Sequence, residues 1–342
     1  MSTPAPLADL VMQSRDLLSD VMGAAPTVAL LDFPAYTNAG DSMIYLGEMA
    51  YLDALDRQVG YACSIRDYDR GALRARVPEG PILLQGGGNF GELWPHHQQF
   101  REQVIADFPD RPIVQLPQTM DFQPGAALER TRELYARHRD LTLLLRDRAG
   151  AERAAEWFPH QRVEFCPDLA LGLGPLAPTR TPTHDVVLLK RTDKESVNDA
   201  AALNCGNHTV TQSDWELTGD TESRWNRLEA LGGLLSLNRF TRRRTVGIHQ
   251  RLYDQQANIN LAAAIHNLSQ GRIVVTDRLH AAVLAALLGK PVVATDNVSK
   301  KVSNIFRDYL GALPGCYFAE DLAEAGQIAR TLLAPSGVPL PL

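Results

Sequence analysis

The amino-acid sequence predicts an α/β protein built on two parallel sheets. Short, continuously apolar runs such as Thr27–Leu31 and Leu141–Leu145 alternate with stretches of helical periodicity. Strands of that composition are buried on both faces, as in parallel sheets covered by helices. The alternation is interrupted once, at 172–183, where three prolines and two glycines fall within twelve residues. Such a stretch reads as a linker. A chain of 342 residues also has the length of two domains rather than one.

In order, 27–31 reads as a strand and 42–55 as a helix. Residues 81–85 form a strand that runs into Gly86-Gly87-Gly88, and 95–108 a helix. Then follow a strand at 112–116, a helix at 128–139, a strand at 141–145 and a helix at 149–158. Beyond the linker, 185–189, 209–211, 245–248, 272–275 and 291–294 read as strands, and 222–236, 258–268, 280–288 and 322–333 as helices. This gives domains at 1–178 and 179–342, with the last helix expected to pack back on the first. The segment before the first strand is amphipathic, and the proline-rich ends, up to Pro6 and from Pro335, read as loose.

Composition narrows the function classes. The chain is 45% hydrophobic and 22% charged, which excludes a disordered or fibrous chain. Lys plus Arg number 34 against 40 Asp plus Glu, for a net charge of −6. A dedicated nucleic-acid binder would be basic. Cys63, Cys166, Cys205 and Cys316 include no C-x-x-C pair, so they read as reduced, buried thiols rather than zinc ligands or staples. The histidines lack metal spacing, and no metal site is expected. No run approaches the ~18–20 apolar residues that span a bilayer, and the first residues lack the basic and apolar regions of a secretory signal. A cytoplasmic protein is expected.

Ligands of open α/β sheets bind at the carboxyl ends of strands. After the first strand, Asn38, Gly40 and Asp41 form a turn into a helix, a polar floor whose helix N-terminus offers amide donors. After the second, Gly86-Gly87-Gly88-Asn89-Phe90-Gly91 lets backbone approach a ligand and presents Asn89. It is not a Walker A loop, since no Lys-Ser/Thr follows. Gln118 and Thr119 follow the third strand, and Arg146 and Asp147 the fourth. A guanidinium there can hold a carboxylate or phosphate through two parallel bonds. In the second half, Lys190 and Arg191 follow a strand. The strongest signal is Thr276-Asp277-Arg278-Leu279-His280, which sets an imidazole beside a guanidinium at a helix N-terminus. Lys300 and Lys301 follow the last strand. His96 and His97 read as a helix-start pair. The run Arg242-Arg243-Arg244 reads either as a solvated face or as a contact for a polyanionic or lipid-phosphate acceptor.

Taken in order, Asn-x-Gly-Asp at 38–41, Gly-Gly-Gly-Asn at 86–89, Pro-Gln-Thr at 117–119, Arg-Asp at 146–147, Pro-Asp at 167–168 and Thr-Asp-Arg-Leu-His at 276–280 resemble the polysaccharide pyruvyl transferase family. The resemblance runs over about 27–312, and the Gly86–Trp94 stretch is most similar to exopolysaccharide-biosynthesis members. It implies two Rossmann-like domains facing a cleft, similar to the B-type glycosyltransferase fold. It also implies transfer of pyruvate from phosphoenolpyruvate to a sugar as a cyclic ketal, with no cofactor. The acceptor would be a polysaccharide or a lipid-linked precursor, which allows peripheral contact with the inner membrane face. Family roles carry over to Arg146, His280 and Lys301. Gly87, Gly88, Gln118, Asp147, Arg191, Arg278 and Lys300 join the residues of the 38–41 and 86–89 motifs as substrate-binding positions. The first domain would take the acceptor and the second phosphoenolpyruvate. Gly150 stands where many members carry Ser, and the Lys300-Lys301 pair leaves the active lysine open by one position.

The residues suit that chemistry. A carboxylate and a phosphate on one small donor need several cations, and proton transfer to and from carbon and oxygen needs an acid/base, for which His280 is the candidate. Two other readings remain at this stage: a nucleotide-sugar glycosyltransferase on the same fold, and a non-catalytic sugar-binding protein. The first needs a base pocket that no motif supplies. The second predicts decay of the Arg-Asp and Asp-Arg-Leu-His motifs, and both are intact.

Overall fold

Parallel pairing throughout gives the chain its architecture. The structure is a computed structural model that describes residues 5–191, 203–296 and 301–334. The first sheet has seven strands. Its order is β2 (Gln58–Cys63), β1 (Thr27–Leu31), β3 (Ile82–Leu84), β5 (Ile113–Asp121), β6 (Leu141–Leu145) and β7 (Arg162–Phe165), with β4 (Gly87–Gly91) alongside the end of β5. The second sheet has five, in the order β12 (Cys316–Phe318), β11 (Val292–Ala294), β10 (Gly271–Thr276), β8 (His184–Leu189) and β9 (Val210–Ser213). Among the described residues every pairing is parallel.

The apolar runs are continuous because both faces of each strand are covered. Ala29 and Leu31 enter one core of the first sheet, while Val28 and Leu30 enter the other. Leu143 and Leu145 likewise face opposite to Leu144. Alternate residues point to opposite faces, so a strand with helices on both sides favours apolar residues at every position. The helices beside the first sheet are α1 (Ala5–Met22), α2 (Ala39–Ala54), α3 (Arg70–Arg76), α4 (Pro95–Asp107), α5 (Ala126–Ala136) and α6 (Arg148–Trp157). Then come α7 (Gly219–Leu235), α8 (Arg239–Arg244), α9 (Val246–Leu268), α10 (Leu279–Leu287), α11 (Lys301–Asp308) and α12 (Leu322–Leu333).

The chain divides into two compact units. One holds Asp9–Gly172 and Thr218–Ile259, the other Leu173–Leu217, Asn260–Leu342 and the first eight residues. The segment from 218 to 259 therefore groups with the first sheet, although it follows the linker in sequence. The last helix covers the second sheet. Leu322, Ala325, Ala329 and Leu333 of α12 pack with Val186, Ile273, Val275 and Val293.

Two local expectations also change. Of residues 245–248, read as a strand, Thr245 caps α8 and the other three open α9. Burial of Val246, His249, Leu252, Tyr253, Gln256 and Ala257 repeats at helical spacing, and a four-residue window around an apolar pair is too short to reveal it. The glycine segment is the irregular strand β4, whose register on β5 shifts between Gly87 and Phe90. From the proline-rich ends, Pro6 falls inside α1, while 1–4 and 335–342 lie outside the described residues.

Helix α9 is tied to the first sheet by a buried polar cluster. The Tyr253 hydroxyl donates to Asp67, accepts from the Ser64 N–H at 3.2 Å, and its ring stacks on Phe33 at 4.1 Å. Asp67 also accepts from the Ser64 N–H at 2.8 Å and from the Ser64 hydroxyl. A buried carboxylate that loses a donor keeps its desolvation cost. Tyr253→Phe should therefore lower unfolding stability by about 1–3 kcal/mol in urea titration. Tyr45→Phe, which removes a 2.7 Å bond to the half-buried Asp254, should cost less. Equal losses would show that the Asp67 cluster carries no special weight.

Candidate active site

In each sheet the strand order reverses once, and the crevice at that point lies outside the carboxyl ends of the two strands beside it. In the first sheet the chain goes from β1 out to β2 and returns to β3 on the other side, so β1 and β3 flank the reversal. In the second it goes from β8 to β9 and returns to β10, so β8 and β10 flank it. The segments that leave these four strands hold Asn38, Gly40, Asp41, Gly87, Gly88, Asn89, Arg191, Arg278 and His280.

In the first unit, Asn38 caps α2 by accepting from the Gly40 N–H at 2.9 Å. Asp41 follows in the first turn, accepts from the Tyr36 hydroxyl at 2.9 Å, and its backbone carbonyl accepts from Gln85 Nε2 at 3.2 Å. The glycines are explained by close approach. A Cβ on Gly86 would sit 2.8 Å from the Pro117 carbonyl oxygen. Gly87 has a φ of +141°, which L side chains rarely adopt, and a Cβ there would meet the Asp41 carboxylate at 3.6 Å. Gly88 continues β4, half-buried.

Asn89 and Gln118 form one network. Gln118 accepts from the Asn89 N–H at 2.9 Å, and its Nε2 donates to Gln85 O and to Asn89 Oδ1, both at 2.8 Å. Arg101 donates to the Asn89 carbonyl at 2.8 Å and to its side-chain oxygen. Asn89 therefore uses its acceptor internally and keeps its amide NH2 for a ligand.

Sequence reasoning passed over the partner of this network. Asp32, buried at the end of β1, holds a φ of +73°, an uncommon backbone for a non-glycine residue that asparagine and aspartate tolerate best. Its carboxylate lies 2.9 Å from His97 Nδ1 and 3.5 Å from Arg101 Nη2. With Nδ1 on the carboxylate, His97 keeps Nε2 for a ligand. Neighbouring His96 is exposed, and burial followed by the adjacent His97 ring pulls it below the usual histidine range.

Arg146 leaves β6 almost fully buried. Its Nε donates to Thr119 Oγ1 at 2.8 Å, its Nη1 to Asp168 at 2.7 Å, and its backbone N–H to Gln118 O at 3.1 Å. Asp168 in turn accepts from the Ala170 N–H at 3.0 Å. Asp147 caps α6 through the Gly150 N–H at 2.7 Å, and a Cβ on Gly150 would come within 2.8 Å of that carboxylate. Glycine there lets the cap close.

In the second unit, Thr276 at the end of β10 donates to the Leu189 carbonyl at 2.7 Å, and buried Asp277 accepts from the Arg191 N–H at 2.9 Å. Burial raises the Asp277 carboxyl, an effect opposed by that N–H and by Arg278 and Arg191. Arg278 is the N-cap residue of α10, one position before the helix, and grips Asp214 after β9 with contacts of 2.6 and 2.7 Å. His280 is the second residue of the helix and half-buried. Lys301 opens α11 and is buried; Lys300 lies outside the described residues.

The fold and these crevices define an α/β protein whose polar motifs gather beyond the strand ends of its two parallel sheets. The sequence profile of the polysaccharide pyruvyl transferase family matches residues 38–299. The chain is 33% identical to pyruvyl transferase 1 of Schizosaccharomyces pombe over 301 residues, 83% of this chain and 69% of that one. It is 29% identical to the putative pyruvyl transferase EpsO of Bacillus subtilis over 299 residues, 87% and 89% of the two chains. A crystal structure of a functionally uncharacterised Klebsiella pneumoniae protein shares the fold, with a TM-score of 0.56 at 19% identity, covering 92% of this chain and 99% of that one. The chain belongs to the polysaccharide pyruvyl transferase family and is an enzyme of pyruvyl transfer to polysaccharide.

One buried acid at the first crevice gives a pH test. Glu48 of α2 accepts from the Gly86 N–H at 2.8 Å, while its other oxygen is buried with no partner. Burial pushes its carboxyl well above the usual range, opposed by the Gly86 N–H and reinforced by Asp168, Asp32 and Asp41. As pH rises past the ordinary carboxylate range, the unfolded chain releases this proton and the folded chain keeps it, so stability falls. Glu48→Gln cannot ionise. Its melting temperature should fall less than that of the parent between about pH 4 and pH 8. Parallel profiles would mean that Glu48 is ionised in the fold.

Proposed function

We propose that this enzyme takes its pyruvyl group from phosphoenolpyruvate and attaches it as a ketal to a sugar of an exopolysaccharide or its lipid-linked precursor, releasing phosphate. The observation that carries this reading is the Thr276–His280 motif at the strand-order reversal of the second sheet, with Arg191 and Arg278 beside it. A helix N-terminus with an imidazole and guanidinium groups suits a ligand with both a carboxylate and a phosphate. In this reading the reaction needs no resident cofactor. The finer likeness to B-type glycosyltransferases belongs to the same reading, as does a place in the cytoplasm at the inner membrane face.

The steps balance as follows. A proton adds to the methylene carbon of phosphoenolpyruvate, and C2 becomes electrophilic. One sugar hydroxyl adds to C2 and loses its proton. The C2–O bond to phosphate breaks, a second hydroxyl closes the ketal, and its proton leaves with the phosphate. His280 handles the proton at the donor, while Arg146, Arg191, Arg278 and a lysine of the 300–301 pair stabilise charge on carboxylate and phosphate. Asn38, Asp41, Asn89 and Gln118 orient sugar hydroxyls. His97, oriented by Asp32, takes the proton of the attacking hydroxyl. A nucleotide-sugar reading gains nothing from the family match.

Phosphate release from phosphoenolpyruvate should require a suitable glycan, and the glycan should gain the mass of pyruvic acid less one water. Release without acceptor, or a wild type silent with a broad panel of glycans, would sink the proposal. His280→Ala should abolish turnover with an unchanged melting temperature, and full turnover would remove His280 from the chemistry. His97→Ala and Asp32→Asn should each lower kcat with KM little changed, by about 10²–10⁴-fold for His97→Ala. A loss that falls on KM or on melting temperature instead would reduce the pair to a structural role.

A further inference from the structure

The turn between α7 and α8 exposes apolar side chains that the reaction does not use. Of eight large apolar side chains exposed among the described residues, five lie between Leu231 and Ile248. Leu234, Leu237 and Phe240 are 62%, 74% and 63% exposed. The turn is well built. Asn238 caps α8 by accepting from the Phe240 N–H at 3.1 Å and the Thr241 N–H at 3.0 Å. Arg242 donates to Ser236 O at 3.0 Å and to Tyr68 O at 3.2 Å, and Arg243 pairs with Asp69 at 3.2 Å. These bonds anchor the turn within its own unit and hold the apolar side chains outward.

Charge says what covers them. From 230 to 253 the chain carries five arginines and no acidic residue, within a protein of net charge −6. Arg243, Arg244 and Arg251 are exposed, and the Arg244 guanidinium lies 3.9 Å above the Phe240 ring centre. Aliphatic and aromatic side chains flanked by arginines match a bilayer, which takes the first below its headgroups and the second among anionic ones. No described helix is long and apolar enough to cross a membrane. We propose that the α7–α8 turn docks this enzyme peripherally on an anionic membrane through Leu234, Leu237 and Phe240, with Arg244 and Arg251 at headgroup level. The proposal deepens the lipid-linked acceptor reading, but its binding test does not depend on that reading.

The test is co-sedimentation of the full chain with phosphatidylcholine vesicles, with and without phosphatidylglycerol. Wild type should pellet with the anionic vesicles at least about tenfold more than with the neutral ones, and less as salt rises. Leu234→Asp/Leu237→Asp/Phe240→Asp and, separately, Arg244→Glu/Arg251→Glu should each lose that binding with unchanged melting temperature and unchanged turnover of a water-soluble acceptor. Wild type that ignores both vesicle types, binds them equally, or binds just as well after the aspartate substitutions overturns the proposal. So does wild type that dimerises through this turn, with the aspartate variant monomeric, because a second copy would then cover the patch. Vesicle binding by a chain with no pyruvyl transfer would refute the functional reading and leave the docking surface standing.

Discussion

Every described strand pairing in this protein is parallel, so each sheet ends all its strands at one edge. That constraint organises the rest. A parallel strand is left by a segment that must turn back along a covering helix, and the turn falls at the carboxyl edge. Backbone donors of the next helix collect there, unpaired within the helix. Where the strand order reverses, the two following segments diverge to opposite faces and leave room between them. The polar motifs sit at this edge, after the strands or, for Asn89 and Gln118, on β4 and the later part of β5.

Within the first crevice one amide holds several elements together. Gln118 is fully buried on β5, yet its side chain satisfies groups of both Gln85 and Asn89. Only one orientation of the amide lets its oxygen meet an N–H and its nitrogen meet two carbonyl oxygens. Its own backbone carbonyl receives the Arg146 N–H. The ends of β3, β5 and β6 are thus registered by one residue. Beside it Gly86 is held to glycine by the Pro117 carbonyl and Gly87 by its positive φ.

Legibility in the sequence follows the range of the physical signal. Strands β1 and β6 were readable because both faces are buried and the run stays apolar. Edge strands β2 and β7 were not, since half-exposed residues break the run. Strand β4 has almost no side chains from which to read a period, and it exists because β5 extends far enough to pair with it. Motifs just after a strand stood out as polar strings beside apolar ones. The Asp32–His97 pair did not, because its members are 65 residues apart and meet only when β1 ends beside the first turn of α4. Glu48 was hidden for the same reason, its partner Gly86 lying 38 residues away. The segment from 218 to 259 gave no sign that it groups with the first sheet, because chain order suggests otherwise and the Tyr253–Asp67 contact is long-range.

The arginines near the strand ends of the two sheets share one arrangement. Arg146 is paired with Asp168, Arg278 with Asp214, and Arg101 lies 3.5 Å from Asp32. A buried guanidinium without a carboxylate would carry its full desolvation cost. With one, it is affordable and fixed in direction. Arginine has five donors in a rigid fork, so one edge can bind the aspartate while another addresses an anion. Lysine, with a single ammonium on a flexible stem, would lose the direction when it took the same partner. The net charge of −6 is therefore compatible with an anionic substrate. Part of the acidic excess is spent locally, holding the cations in place.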